Sequence, residues 1–472
     1  MTTRESITLL LSSFSGKAGV VLFISILLIS LFVLLKLPLD FGSQRWNNPA
    51  EWADNPKSVA PEWIRLFNRE GSLSHKTFQS SKPTIGEGTE SPSYTFTYYY
   101  SGTQPPTFTS LSVSDIQFQD TPPILLLEVE RPDGRIVRLL QRSMRGARIG
   151  EKTPFLRHTE TPLRVFLSAD QNTLFAISNY LQQEFSMKIG NDMLQGKLEQ
   201  VLFGTPTETG GFVPLHGQYK FTLRVLANNP ADSVGHVKLV LAGSHFGMMG
   251  TDSLGRDLAL GLLFGFPVAL TIGLSTAVLA TTIGTILGII SGYMAGKTDI
   301  IIQRFADIWG NIPTLPLLIF LIFILGQKLW LVVLFLIIFG WPGLTIVVRS
   351  MVLQIRTGQL VEATKALGAS RRRIMFRHIL FQISPFVFAQ MIFFVPAAIL
   401  AEAGLSFIGL GDPSIPTWGQ ILESGFRTGG VFVGYWWWIL PPGILIVLTS
   451  MTFVFLSLGL EPVVNPRLRE GK

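Results

Sequence analysis

The chain has 472 residues, of which 47% are hydrophobic and only 15% are charged, and its mean hydropathy is +0.40. These values exclude an intrinsically disordered chain and are atypical of a wholly soluble protein. The formal net charge is +7, from 38 basic and 31 acidic residues. The absence of cysteine excludes disulfides, thiolate zinc sites, iron–sulfur clusters and cysteine nucleophiles.

The first predicted element is a membrane helix. Ala18–Leu35 is an 18-residue run without a charge, and Lys17 and Lys36 flank it. A run of this length is sufficient for a short span. A cleaved signal peptide is the alternative, but no small-residue cleavage site follows Lys36. We therefore expect a retained span at 18–36, preceded by a short segment at 1–17.

Residues 37–243 have a different character. They contain 20 basic and 20 acidic residues, so this region is neutral. Strand-like runs alternate with turn signals, and Gln171–Phe185 has the pattern of a short helix. The strand-like runs are Ser93–Tyr100, Ile124–Glu130, Ile136–Gln141, Arg164–Ser168, Tyr219–Ala227 and His236–Ala242. We expect a folded, β-rich, water-facing domain that is large enough for its own core.

Residues 244–460 are again dominated by hydrophobic segments. The five predicted spans are centred on Phe266–Ser291, Thr314–Leu325, Trp330–Val348, Ile383–Leu405 and Trp436–Leu458. Thr314–Leu325 is too short alone, so we expect it to continue Ile300–Trp309 as one helix with a kink at Pro313 and Pro316. Together with the N-terminal helix this gives six spans.

The loop charges predict the orientation. The segment 349–382 has seven basic residues and one acidic residue, and the tail 461–472 is also basic, whereas Ser406–Tyr435 has one basic residue and two acidic ones. Because basic loops remain in the cytoplasm, we expect both termini and the 349–382 loop inside the cell. The 37–243 domain is then extracytoplasmic, and the chain is a multi-pass protein of the cell membrane.

The basic loop contains a predicted helical corner. Four small or apolar residues share one helical face, at Leu360, Ala363, Thr364 and Leu367. Gly368 suits a left-handed position after that helix, and Ser370 suits the N-cap of a second one. Two interpretations remain open. The corner docks on a soluble partner, or it binds anionic lipid headgroups through Arg371–Arg373.

Four ordered motifs resemble those of ABC importer permeases. Glu362-Ala363-Thr364 followed by Gly368 is similar to their coupling-loop signature, in which Ala usually stands where this chain has Thr364. Three other segments resemble the dipeptide/oligopeptide subfamily: Gly250–Asp257, Ala401–Gly411 with Trp418-Gly419, and Asn465–Leu468. In the first of these the matching residues are Gly250, Thr251, Asp252, Gly255, Arg256 and Asp257. Phe381 and Asn465 depart from the usual Pro and Asp, and the 37–243 domain is far longer than the family's typical connection at this place.

The resemblance implies a polytopic α-helical membrane protein with the ABC importer permease fold and a β-rich domain inserted after its first span. It implies a non-enzymatic transport subunit that pairs with a sister permease, two ATPase subunits and an extracytoplasmic binding protein. ATP and Mg are then bound by the ATPases, with no cofactor, metal site or nucleic acid partner in this chain. The implied coupling residues are Glu362, Ala363, Thr364, Leu367, Gly368, Arg371, Arg372 and Arg373.

Several assignments stay open. Glu402 and Asp307 are acidic residues within predicted spans, where they either line the pathway or gate it, or serve helix packing. The Gly250–Asp257 motif either anchors an amphipathic helix on the membrane, which we favour, or contacts neighbouring subunits. Ser291–Thr298 has the wrong spacing for a phosphate-binding loop. The alternative functions are a stand-alone ion-coupled secondary transporter and a membrane-anchored receptor that acts through its external domain.

Overall fold

The computed structural model describes residues 9–67, 73–83, 91–207 and 211–464. The chain divides into two compact units. We call Met1–Pro49 with Leu258–Lys472 the helical unit, and Ala50–Asp257 the β unit. Both boundaries of the β unit lie 13 or 14 residues later than the predicted 37–243. The C-terminal boundary lies later than predicted because residues after 243 form hydrogen bonds with the β unit. For example, the Phe246 amide donates to the Ala60 carbonyl over 2.9 Å.

The strands of the described residues lie in the β unit, whereas the longest helices lie in the helical unit. The strands are β1 (Lys76–Ser80), β2 (Ser93–Tyr100), β3 (Thr109–Phe118), β4 (Ile124–Glu130), β5 (Ile136–Ser143), β6 (Phe155–Arg157), β7 (Leu163–Phe166), β8 (Gly204–Pro206), β9 (Phe212–Pro214), β10 (Gly217–Leu226) and β11 (Ser233–Leu241). The α-helices are α1 (Phe14–Lys36), α2 (Pro49–Trp52), α3 (Gln171–Phe185), α4 (Asn191–Leu194), α5 (Leu198–Leu202), α6 (Leu258–Met294), α7 (Gly296–Gly310), α8 (Thr314–Leu325), α9 (Leu329–Gly340), α10 (Pro342–Ile355), α11 (Gln359–Ala366), α12 (Arg371–Arg373), α13 (Leu380–Phe407), α14 (Trp418–Arg427), α15 (Gly430–Val433) and α16 (Trp436–Val464). Short 3₁₀ or π-helical turns occupy Gly42–Trp46, Glu62–Leu66, Leu167–Ala169 and Ile374–Ile379.

Two antiparallel sheets and helix α3 contribute to the core of the β unit, and β8 and β9 form a further two-stranded sheet. The first sheet has the order β1-β11-β3-β6 with β7 also paired to β3, and the second has the order β2-β10-β4-β5. In β2 and β10 alternate residues are buried, so that Phe96 pairs with Phe221 on the core face. Side chains from both sheets and from α3 share one hydrophobic core. This arrangement follows from the period-2 alternation, which gives each strand one apolar face.

The sequence predicted six of the eleven described strands and missed the other five, one of which is central. The predicted bounds of β2, β4 and α3 are confirmed, and α3 begins where the Asp170 carboxylate accepts the Thr173 amide over 2.9 Å. The central strand that it missed is β3, which pairs with β11, β6 and β7. Its buried residues include Ser110 and Ser112. Small polar residues obscure the apolar alternation, so the strand is evident only from its partners.

The helical unit has five helices long and apolar enough to cross a membrane, within the described part of the chain. They are Phe14–Lys36, Leu258–Met294, Leu329–Ile355, Arg371–Phe407 and Trp436–Glu461. A stripe of glycines on α6 lets α10 approach closely: a Cβ at Gly284, Gly288 or Gly292 would lie only 2.7–2.9 Å from α10 atoms or the residue before α10. Small residues therefore set the spacing of these two helices.

The predicted single kinked helix over 300–325 is instead two helices. The axes of α7 and α8 differ by 74° at a short break. Pro313 lies at that break, and proline both lacks an amide donor and disfavours a helical conformation in the residue before it. Pro316 lies in the first turn of α8, where proline is tolerated. The two helices make a sixth span only if they are counted as one broken span.

Candidate coupling elbow and associated polar sites

A helical corner is present where the basic loop predicted one. We call residues 358–379 the elbow. Helix α11 ends at Ala366, Gly368 has φ = +79°, and its amide donates to the Lys365 carbonyl over 3.0 Å. The Ser370 hydroxyl then accepts the Arg373 amide over 3.4 Å as an N-cap. The glycine corner and the serine cap are therefore confirmed, since glycine adopts this left-handed conformation without a steric penalty.

The elbow exposes its predicted apolar face. Leu360 is 55% exposed and Leu367 is 88% exposed, whereas the neighbouring Val361 is only 3% exposed. Glu362 and Ala363 are exposed as well, and the Thr364 hydroxyl donates to the Leu360 carbonyl over 2.6 Å. Only one α11 side chain is therefore buried in this chain, and most of the remaining helix surface is exposed.

The elbow is attached firmly to the helices behind it. Val361 belongs to a hydrophobic cluster with buried residues of α6, α10, α13 and the π-helical turn: Ile289, Leu344, Val348, Val352, Ile374, Met375, Ile379 and Ile383. The turn runs directly into α13. Arg371, Arg372 and Arg373 are exposed at the corner. Val361 thus packs the elbow against α6, α10 and α13 without a gap that would let it move freely of them.

An ion pair that the sequence analysis did not identify joins three helices near the elbow. The Arg349 guanidinium on α10 donates to both carboxylate oxygens of Asp299 on α7, each over 2.5 Å. The Ser291 hydroxyl on α6 donates to the same carboxylate over 2.5 Å, and the Gln303 amide donates to Ser291 over 2.9 Å. In the sequence, Asp299 and Arg349 are opposite charges that each follow an apolar segment. Their positions alone do not predict that they form an ion pair with each other.

The Gly250–Asp257 motif forms a closed turn within the β unit. Asp252 is fully buried, accepts the Leu254 and Arg256 amides over 2.9 Å each and forms an ion pair with the Arg256 side chain. The Thr251 hydroxyl donates to the Pro56 carbonyl over 2.7 Å. Gly250 and Gly255 have positive φ, and Thr251 bridges to Asp257. These hydrogen bonds link the motif to residues 55–59, so the motif stabilises the fold of the β unit.

The two acidic residues within the predicted spans differ in environment. Glu402 is buried, and it accepts the Ser406 hydroxyl over 2.6 Å, one turn along α13. Asp307 on α7 is exposed. The two share no hydrogen bond or ion pair in the described structure. Glu402 therefore has the contacts of a helix-packing residue, while Asp307 has the exposure that a pathway residue needs.

No group of three or more potential metal ligands occurs among the residues that the structure describes. The predicted tail motif Asn465–Leu468 and the basic residues that follow it lie outside the described residues.

Comparison with known proteins identifies the family. The family model described as "Binding-protein-dependent transport system inner membrane component" matches residues 284–470, which include the elbow. The dipeptide transport system permease protein DppC of Bacillus subtilis is 35% identical over 221 residues, covering 47% of this chain and 68% of that protein. The chain belongs to this permease family. It is a multi-pass helical membrane protein and a permease subunit of an ABC importer.

Two oligopeptide permeases agree with this assignment. The oligopeptide permease OppC of Bacillus subtilis is 33% identical over 55% of this chain and 81% of its own length, and OppC of Escherichia coli is 34% identical over 48% and 74%. A solved inward-facing MetNI methionine ABC transporter chain is 19% identical with a TM-score of 0.36, over 44% of this chain and 96% of that one. The permease assignment replaces the secondary-transporter and receptor alternatives.

Proposed function

We propose that this permease subunit imports peptides or similar small solutes and forms the translocation pathway with a sister permease. The relatives support this because they are permeases of dipeptide and oligopeptide transport systems. In this proposal two separate ATPase subunits bind ATP and Mg, an extracytoplasmic binding protein delivers the solute, and this chain has no ATPase site or cofactor. Asp307 is our pathway candidate.

The proposed arrangement in the membrane has six spans, with α7 and α8 counted as one broken span. The segment 1–17, the coupling loop 349–382 and the tail 461–472 face the cytoplasm, and residues 37–243 face outward. The charge difference between the loops supports this orientation. The external domain then helps the binding protein to dock or covers the mouth of the pathway.

The elbow is the observation that carries the proposal. Leu360, Glu362 and Leu367 are exposed on and just after a helix whose one buried residue is packed into the helical unit. An exposed short helix of this kind suits a groove on an ATPase subunit. When two ATPases close on ATP, the elbow moves with them and tilts α10 and α13, which alternates access between the two sides. The exposed Arg371, Arg372 and Arg373 meet acidic ATPase surface or lipid headgroups.

The test is a substitution that removes the one acidic side chain of the elbow. We expect Glu362→Ala to lower peptide-stimulated ATP hydrolysis and ATP-dependent peptide uptake about tenfold, since a charge-assisted hydrogen bond to the ATPase is lost. Glu461→Ala is the matched control, because Glu461 is an exposed glutamate on α16 outside the elbow. Full activity of Glu362→Ala in the assembled complex would contradict the coupling role.

A further inference from the structure

A second candidate site lies within the β unit. A pocket of about 540 Å³ opens between the loop at 103–107, helix α5 and the β8–β9 hairpin. Its lining includes Thr103, Gln104, Glu199, Gln200 and Phe212. Pockets of roughly 300–1,000 Å³ are typical of small-molecule sites. The size of this pocket is therefore sufficient for a solute of tripeptide length.

Glu199 is the single charged side chain among the described residues that line this pocket. It is only 5% exposed, and its Oε1 atom accepts the Thr109 amide over 2.9 Å. In the described part of the chain no lysine, arginine or histidine lies within ion-pair distance of Glu199. Burial therefore raises the pKa of the Glu199 carboxyl to about 7. Within the described residues, the pocket thus contains a buried acid without a basic partner.

A buried carboxylate without a counter-charge is unfavourable in the empty protein. A ligand that brings a positive charge and hydrogen-bond donors removes this penalty, so the pocket selects for cationic groups. A divalent metal is a poor fit because it needs several oxygen ligands, and Glu199 is the one carboxylate among the described lining residues. The amides of Gln104 and Gln200 can bond to neighbouring polar groups of an organic ligand.

We propose that this pocket binds the primary ammonium group of a small solute, with Glu199 as its counter-ion. The inference rests on the proposed function, since the α-ammonium group is common to free peptides. It assigns to the β unit a solute site of its own, separate from the elbow and from the permease helices. The site would hold a peptide by its N-terminus on the side from which import begins.

The experiment uses the full-length chain, assembled with its sister permease and ATPases in nanodiscs without the binding protein. Trialanine and N-acetyl-trialanine are titrated by calorimetry at about pH 7.5, between the pKa of the Glu199 carboxyl, about 7, and the usual pKa of an α-ammonium group, about 8. We expect trialanine to bind at least tenfold more tightly than its acetylated form. We expect Glu199→Gln to weaken trialanine binding at least tenfold, because it keeps the hydrogen-bond acceptor for Thr109 and loses the charge.

A second variant does not depend on the charge. Gly196 lines the pocket, and a Cβ at this position meets no atom within 4 Å. Gly196→Leu should therefore add bulk at the wall of the pocket without a steric clash and should also weaken binding at least tenfold. Glu160→Gln is the matched control, because Glu160 is an exposed glutamate of the same unit outside the pocket. It should bind trialanine as the unmodified protein does.

Equal binding of the two peptides, or unchanged binding by Glu199→Gln and Gly196→Leu, would overturn the pocket assignment. Uptake of trialanine by the complete system, measured in parallel, separates this failure from failure of the proposed function. If the unmodified system takes up trialanine but the pocket variants bind it normally, only the pocket assignment is contradicted. Absence of peptide uptake by the unmodified system contradicts the proposed function itself.

Discussion

At the scale of single residues, the Asp299–Arg349 pair is a bidentate polar contact between two helices of the permease. Both carboxylate oxygens are used, and Ser291 adds a third helix to the same carboxylate. Bidentate arginine–carboxylate pairs fix both distance and orientation. The pair therefore holds α7 against α10, the helix that packs on the elbow.

The first prediction concerns this pair. Asp299→Asn and Arg349→Gln should each lower the free energy of unfolding by about 2 kcal/mol, because each leaves a partly buried charge unpaired. The exchanged pair D299R/R349D should recover part of this loss. Thermal unfolding of the purified protein in detergent measures the three variants.

Arg427→Gln is the control for that measurement. Arg427 pairs with Glu423 over 2.9 Å, but its side chain is 74% exposed, so the pair is weakened by solvent. A loss of thermal stability in R427Q as large as in R349Q would show that burial does not decide the effect. Strictly additive losses in the exchanged pair would show that Asp299 and Arg349 do not interact.

At the scale of elements, the elbow depends on one backbone conformation. Gly368 has φ = +79°, and a Cβ there would meet no atom within 4 Å. The only penalty of a side chain at this position is therefore backbone strain, of about 1 kcal/mol. A substitution tests the angle of the corner without adding a steric clash.

We expect Gly368→Ala to reduce ATP-dependent uptake several-fold, because the corner relaxes and the exposed face of α11 rotates. Gly434→Ala is closely matched, since Gly434 has φ = +83° and equally open surroundings, but lies at the end of α15. Uptake by the two variants in cells, at equal expression, provides the measurement. An equal loss of uptake in both variants would mean that general destabilisation, rather than the corner, is responsible.

The helices and strands also show which structural features can be predicted from sequence patterns and which cannot. The alternation in β2 and the cap of α3 are local features, and both elements were predicted with the correct bounds. Strand β3 was missed because serines occupy part of its buried face. The 300–325 segment was predicted as one kinked helix. A hydropathy profile shows how long an apolar segment is, but it does not show how far the chain changes direction at Pro313.

At the scale of the whole molecule, the sequence contains a neutral segment, 37–243, and a basic loop that are expected on opposite sides of the membrane. The elbow has three consecutive exposed arginines, Arg371–Arg373, whereas residues 37–243 have balanced charges. Positive loops remain in the cytoplasm. The orientation can be tested directly because the chain has no cysteine.

Single cysteine substitutions provide the test. E160C, at an exposed site of the β unit, should react with a membrane-impermeant maleimide in cells whose inner membrane is intact. K365C, at an exposed site of α11, should react only after that membrane is opened. The extent of labelling on a gel is the measurement. Labelling of K365C from outside, or protection of E160C, would contradict the proposed orientation.

The sequence alone determined the features that depend on neighbours along the chain. Apolar segments long enough to span a bilayer, the β-rich domain, the glycine corner at Gly368 and the cap at Ser370 all follow from local composition and spacing. The resemblance of the motifs to ABC importer permeases was also present in the sequence, and the relatives confirm it.

Only the tertiary structure decided which groups meet across long separations. It buries Val361 and leaves Leu360 and Leu367 exposed, pairs Asp299 with Arg349, and encloses Glu199 beside β3 with no basic partner among the described residues. Periodicity predicts that a helix has an apolar face, but the packing of distant helices selects which side is covered. The partner of a charge likewise depends on distances in space, which local propensities do not specify.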